Sequence, residues 1–125
     1  MASELRVTTI ANNAGTESVN TTYVINGSAK AWGHFEGSDA TLDDSLNTTS
    51  LTDNSTGSFS PQLINSLANT NYASSTNCAN TSNTASNSGS KAQTYATGSF
   101  NIVTTQNGAD ADVNDTIYTA HGDLA

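Results

Sequence analysis

The segment Ser28–Ser60 (SAKAWGHFEGSDATLDDSLNTTSLTDNSTGSFS) constrains the fold more than any other part of the chain. It holds the only Trp and two of the three Phe, set in short apolar stretches separated by turn signals. Successive side chains on a strand point to opposite faces. In Ala29–Phe35 this puts Ala29, Ala31, Gly33 and Phe35 on one face, and Lys30, Trp32 and His34 on the other. Large apolar groups on both faces predict that one meets a core and the other a partner or a second sheet. Glu36-Gly37 then predicts a turn, Thr41–Leu46 a second strand, and Asp53–Gly57 a polar turn leading into Phe59.

The rest of the chain repeats this pattern. Leu5, Val7 and Thr9 alternate with Arg6 and Thr8 up to Ile10, which predicts a short strand. Asn12-Asn13-Ala14-Gly15 predicts a turn, and Ser18–Ile25 a second strand ending at the hairpin signal Asn26-Gly27. Asn47–Ser50 continues a strand. Ser58–Ile64 is another, at an edge or bulge because Pro61 lacks a ladder donor. Asn65–Thr70 is a connection with room for one helical turn, and Tyr72–Cys78 is a strand. Ala79–Gly89 has no apolar side chain larger than Ala and predicts an exposed loop. Gln93–Thr105 predicts the most β-prone strand, Gln106–Asp110 a turn, and Thr116–Ala120 the last strand. No segment holds a sustained helical period. The expected fold is all-β: a small antiparallel β-sandwich, jelly-roll-like, over residues 28–125, with an extended arm over residues 1–27.

Asn, Ser and Thr make up roughly two-fifths of the chain, well above ordinary usage. Burial of about 25 cal/mol per Å² of apolar surface must offset about 1–2 kcal/mol of backbone entropy per residue. Sparse large side chains therefore predict a thin core and assembly with further copies, a homotrimer being the expected form. The net charge is −8, with Arg6, Lys30 and Lys91 the only cations, which argues against binding nucleic acid through its phosphates or an anionic membrane surface. No stretch is long and apolar enough to insert in a membrane, and the N-terminus lacks the basic start and apolar run of a signal peptide. A single cysteine, Cys78, excludes an intrachain disulfide.

Candidate chemistry is thin. Asp110-x-Asp112-x-Asn114-Asp115 resembles the start of a calcium loop, but Asp115 stands at the sixth position and His121 at the twelfth, where Gly and Glu belong. A solvated acidic loop is the expected reading. Asp43-Asp44, on adjacent strand positions, should point to opposite faces and so fail as a catalytic pair. His34 and His121 lack the ligand spacing of a zinc site. No catalytic residue, cofactor site or metal site is expected. Tyr23, Trp32, Tyr72, Tyr95 and Tyr118 are possible stacking rings, although core packing is the expected use of most.

Ala29–Phe35, then Asp44-Ser45-Leu46-Asn47, Leu51–Phe59 and Thr70-Asn71-Tyr72-Ala73 follow one another in an order that resembles a β-domain of bacteriophage virion proteins. These are tail-fibre-like and other virion appendage proteins of phages from marine and environmental bacteria. Ser99–Thr105 and Asp115–Ala120 match its closing strands, and Ser3–Ile10 resembles the start of many phage fibre chains. The chain departs from that pattern at Gly33-His34, at Pro61 and in the plain Ala79–Gly89 loop. The resemblance implies no catalytic residues and a location in the virion. Attachment to other virion structural proteins is expected through the arm, with its apolar residues Leu5, Val7 and Ile10 as anchors. Contact with a host glycan or outer-membrane receptor is expected of the exposed loop carrying Asn80, Asn83 and Asn87. A capsid decoration protein is the alternative, and a glycan depolymerase would need carboxylates clustered on one face.

Overall fold

The structure is a computed structural model that describes residues 3–80 and 87–125. Eleven strands and one short helix are present among them: β1 (Thr9–Ala11), β2 (Ser18–Asn20), α1 (Thr21–Gly27), β3 (Ala31–Glu36), β4 (Thr41–Leu46), β5 (Thr48–Ser55), β6 (Ser58–Leu63), β7 (Ala73–Ala79), β8 (Ser88–Gln93), β9 (Asn101–Gln106), β10 (Ala109–Asp110) and β11 (Asp115–His121). The fold is mostly β, with antiparallel sheets. One four-stranded sheet has the order β4-β3-β11-β7. The other runs β5-β6-β9, with β8 on the far edge of β9 and β10 continuing the edge that β6 shares. The two sheets face each other as a β-sandwich.

The alternation expected in Ala29–Phe35 is present from Ala31 onward. Ala31, Gly33 and Phe35 are buried, while Trp32 and His34 face outward and are half-buried. β11 runs antiparallel to β3 and contributes Tyr118 and Ala120 to the same interior. Opposite them, Phe59, Leu63 and Ile102 face inward from the second sheet, and Leu67, Tyr72 and Phe100 close the end. Phe35 and Phe59 meet across the interface at 5.1 Å between ring centres, and Phe100 and Tyr118 meet edge-on at 5.6 Å. Such aromatic contacts add about 0.5–1.5 kcal/mol each beyond area burial. Five of the eight aromatic side chains thus converge on one cluster.

Two backbone devices fix the turns at either end of β5. At Asn47 the chain turns from β4 into β5, and so from one sheet to the other, with φ 57°. Asn tolerates that left-handed conformation better than most residues. Its side chain clamps the corner: Oδ1 accepts from the Asn65 N–H at 2.7 Å and Nδ2 donates to the Asn65 carbonyl at 3.0 Å. The β5–β6 turn needs Gly57, where φ is 68° and a Cβ would lie 2.5 Å from the Thr104 carbonyl oxygen.

Several expectations are corrected. Residues 3–8 form no strand, and Ser18–Ile25 is strand only to Asn20 before becoming α1. The Asn20 side chain caps that helix by accepting from the Thr22 N–H at 2.8 Å, so Asn26-Gly27 ends a helix and makes no hairpin. Asn65–Thr70 has no helical turn. Gln93–Thr105 is not one strand, since Thr94 at φ 51° ends β8 and the chain crosses to β9. Pro61 is neither at an edge nor at a bulge; it lies within β6, paired with Leu51. The β6–β9 ladder lapses beside it and returns as the isolated Gln62–Ser99 bridge. In that gap the Asn101 side chain donates to the Phe59 carbonyl at 3.3 Å.

Candidate assembly and contact surfaces

The N-terminal residues make a surface distinct from the sandwich. β1 and β2 form their own two-stranded sheet, with Ile10 paired to Val19. Every residue from Ser3 to Ser28 is exposed except half-buried Thr21. The three attachment candidates Leu5, Val7 and Ile10 are all exposed, as are Val19, Tyr23, Val24 and Ile25. These seven lie within 21 residues of a chain otherwise poor in such groups, and a concentration of that kind marks a contact surface more often than scattered exposure does. Where this unit meets the sandwich, α1 is pinned at its C-terminal end. The Ser28 N–H donates to the Val24 carbonyl at 3.1 Å, and the Lys30 ammonium donates to the Ile25 carbonyl. His121 Nδ1 lies 3.1 Å from the Gly27 carbonyl oxygen.

The second surface is the outer face of the β4-β3-β11-β7 sheet. Register places Leu46, Trp32, Thr119 and Ser75 in one cross-strand row, and Asp44, His34, Ile117 and Asn77 in the next. Glu36, Asp115 and Ala79 follow in a third. A shallow depression between β7 and β11 is lined by Ser75, Thr76, Asn77, Ile117, Tyr118 and Thr119. Sequence reasoning identified the Trp32–His34 face of one strand but not the four-strand surface that contains it. The outward alternation of Ile117 and Thr119 against buried Thr116, Tyr118 and Ala120 is the signal that extends it.

Asp43 and Asp44 do not point to opposite faces. A β-bulge falls where β4 passes His34 and Phe35, so both aspartates lie opposite His34. Asp43 Oδ2 lies 3.2 Å from His34 Nδ1, and Asp115 Oδ1 lies 3.4 Å from His34 Nε2. Each of these side chains is about 40% exposed (41%, 38% and 38%), so water screens the pairs and each contributes little to stability. An open sheet face also lacks the water exclusion that strengthens charged groups in an enzyme site.

The acidic stretch Asp110–Asp115 does not gather around a point. Asp112 Oδ1 accepts from the Gly57 N–H at 2.6 Å, Asn114 donates to Glu36 at 3.2 Å, and Asp115 faces His34. Among the described residues no group of three or more His, Cys, Asp or Glu side chains is placed to hold a metal ion. Of the loop candidates, Asn80 is half-buried, Asn87 is exposed with its carbonyl accepting from the Asn107 N–H at 2.9 Å, and Asn83 lies outside the described residues. Of the possible stacking rings, Tyr72 and Tyr118 are buried in the core. Tyr95 packs edge-on against Tyr72 at 5.1 Å, and Tyr23 is exposed on α1. Trp32 alone stands on a sheet face. No helix among the described residues is long and apolar enough to cross a membrane. No family model, curated protein or solved structure matches the chain.

Proposed function

We infer that the chain is a structural virion protein of a bacteriophage, a fibre or appendage component that acts by binding and not by catalysis. Residues 1–27 attach it to other virion proteins, with Leu5, Val7 and Ile10 as anchors, and the sandwich of residues 28–125 is the body presented outward, as a homotrimer. The loop carrying Asn80, Asn83 and Asn87 is the proposed contact with the host surface. The observation that carries this reading is the division of apolar side chains. The sandwich buries its own cluster, whereas seven large apolar groups before residue 28 stay exposed. Burial of such groups, each worth about 1.5–3 kcal/mol when fully covered, is available to the N-terminal unit on assembly.

Deleting residues 1–27 from the gene in the producing phage tests the reading. The expected result is a folded sandwich missing from purified particles, and normal incorporation would refute it. A capsid decoration protein is the second reading, favoured by the lack of any shaft repeat in the described residues, where the sandwich begins soon after α1. Saturable adsorption of purified protein to host cells supports the appendage. Binding to capsids alone supports decoration.

A further inference from the structure

The sandwich has four edge strands, and three of them carry features that resist a further strand. β4 is bulged and carries Asp43 and Asp44, β5 shifts register twice and carries Asp53, and β8 carries Lys91. β7 has none of these features. It pairs with β11 in unbroken register from Ala73 to Ala79, with no charge, proline or glycine. Backbone groups alternate sides along an antiparallel strand. The Gly37 N–H donates to the Asn114 carbonyl at 3.0 Å, in step with the β3–β11 register, so Thr116, Tyr118 and Ala120 bond β3. Asp115, Ile117 and Thr119 therefore bond β7, at Ala79, Asn77 and Ser75. The backbone N–H and C=O groups of Ser74, Thr76 and Cys78 are left on the outer edge, without a backbone partner among the described residues. The β1–β2 hairpin has a matching bare edge. The Thr21 N–H donates to the Thr8 carbonyl at 2.9 Å and the Asn12 N–H to the Glu17 carbonyl at 3.0 Å, so Thr8, Ile10 and Asn12 face β2. Thr9 and Ala11 turn their backbone groups outward.

We propose that β1 of one copy pairs along the outer edge of β7 of a second, so that the four-stranded sheet of one copy continues into the hairpin of the next. A hairpin of two three-residue strands, exposed throughout, is marginal alone and gains stability by joining a sheet. Main-chain pairing needs no charge match, and β7 presents no carboxylate to the acidic N-terminal unit. In the single copy β1 and β7 do not pair, so the contact is between copies. The proposal rests on the reading that residues 1–27 are an assembly element, and it names the partner as the chain itself. Donor and acceptor are different parts of the chain, so each copy gives a strand to the next until a ring closes.

The sedimentation mass of the full chain tests this, in wild type, Thr9→Pro and Thr76→Pro. Each proline removes an outward N–H and spares the ladder on the strand's other side, and unchanged near-ultraviolet spectra will show that the sandwich is intact. Wild type is expected to self-associate, and either proline to weaken this at least about tenfold. Hydrogen exchange should find the Thr9, Ala11, Ser74, Thr76 and Cys78 amides slowed in the associated wild type and faster after dilution to monomer. If Thr76→Pro disturbs the sandwich, Thr9→Pro and the exchange pattern decide. A monomeric wild type, association indifferent to Thr9→Pro, or edge amides that exchange alike in both states would overturn the proposal. So would β7 amides slowed only in the particle, which assigns the edge to another virion protein. Incorporation into particles is scored separately. A monomeric chain whose incorporation still needs residues 1–27 refutes this contact alone. Pairing of these edges in the full chain, with normal incorporation after deletion of residues 1–27, refutes the attachment role alone.

Discussion

Gly33→Ala is the sharpest test of the core. A Cβ on Gly33 would lie 2.4 Å from Tyr118 Oη and 2.6 Å from Cε1 and Cζ. The ring cannot step aside. It is 1% exposed, packs against Phe35 and Phe100, and its hydroxyl shares a 2.7 Å hydrogen bond with Thr48 Oγ1. Forcing a methyl into such a site costs about 1–3 kcal/mol, and breaking the buried hydroxyl pair adds about 1–3 kcal/mol if the ring shifts. In an unobstructed strand the same change would stabilise by roughly 0.5–1 kcal/mol, because glycine loses more entropy on folding. The sign of the effect therefore decides the matter. The net expectation is a loss of about 3 kcal/mol, or about 10 °C in the thermal midpoint, read by circular dichroism and urea unfolding. Tyr118→Leu removes the atoms that obstruct the methyl, so in that background Gly33→Ala should be neutral or stabilising, with a coupling of about 2–3 kcal/mol. A stabilising Gly33→Ala, or simple additivity of the two changes, would refute the packing described here.

Three further expectations can be checked on the same protein. Asn47→Ala should lower stability by about 2–3 kcal/mol in urea titration, from the strain of a left-handed residue plus the lost Asn65 clamp; Asn47→Gly, which removes the strain, should cost about 1 kcal/mol less. The Tyr72 hydroxyl donates to the Ala96 and Ser99 carbonyls, and burial first, then the adjacent Tyr95, pushes its pKa from 10.0 up to about 12. The folded state thus keeps a proton that the unfolded chain loses above pH 10.0, so this contribution is complete below that pH and falls as pH rises towards about 12; phenolate absorbance followed with unfolding should show it, and Tyr72→Phe should abolish that component. Burial also raises the pKa of the Cys78 thiol, so a disulfide reagent at neutral pH should modify it far more slowly in the native protein than in denaturant.

The strands legible in the sequence are those whose alternation has bulk behind it. β3, β4, β6 and β11 all carry large inward residues such as Phe35, Leu42, Phe59 and Tyr118 at strand spacing. β8 was not legible, since Ser-Gly-Ser-Lys-Ala-Gln has no β-branched or aromatic residue and exists by virtue of its ladder to β9. α1 is masked in the sequence because Tyr23-Val24-Ile25 favours strand, although Asn20 supplies its cap. Glycine at position 33 has a structural cause in the Tyr118 ring above it, and only the three-dimensional register supplies that information. The outer face stayed hidden for a related reason: Leu46, Trp32, Ile117 and Asn77 are distant in sequence, and no local pattern says which strands will be neighbours.

The bulge at Asp43–Asp44 links two properties of the sandwich. β4 is an edge strand, and a straight apolar edge would recruit any free strand by main-chain pairing. The bulge bends that edge, and the two carboxylates charge it, so edge-on pairing with β1 or β2 of another copy is disfavoured. β5, the edge of the opposite sheet, is likewise lined by hydroxyl, amide and Asp53 side chains. With β4 and β5 blunted, and the other two edges, β7 and β8, holding no large apolar side chain, Leu46 and Ile117 are offered face-on and not edge-on. One irregularity in β4 thus both charges the edge against strand pairing and places Asp43 beside His34 on the outer face.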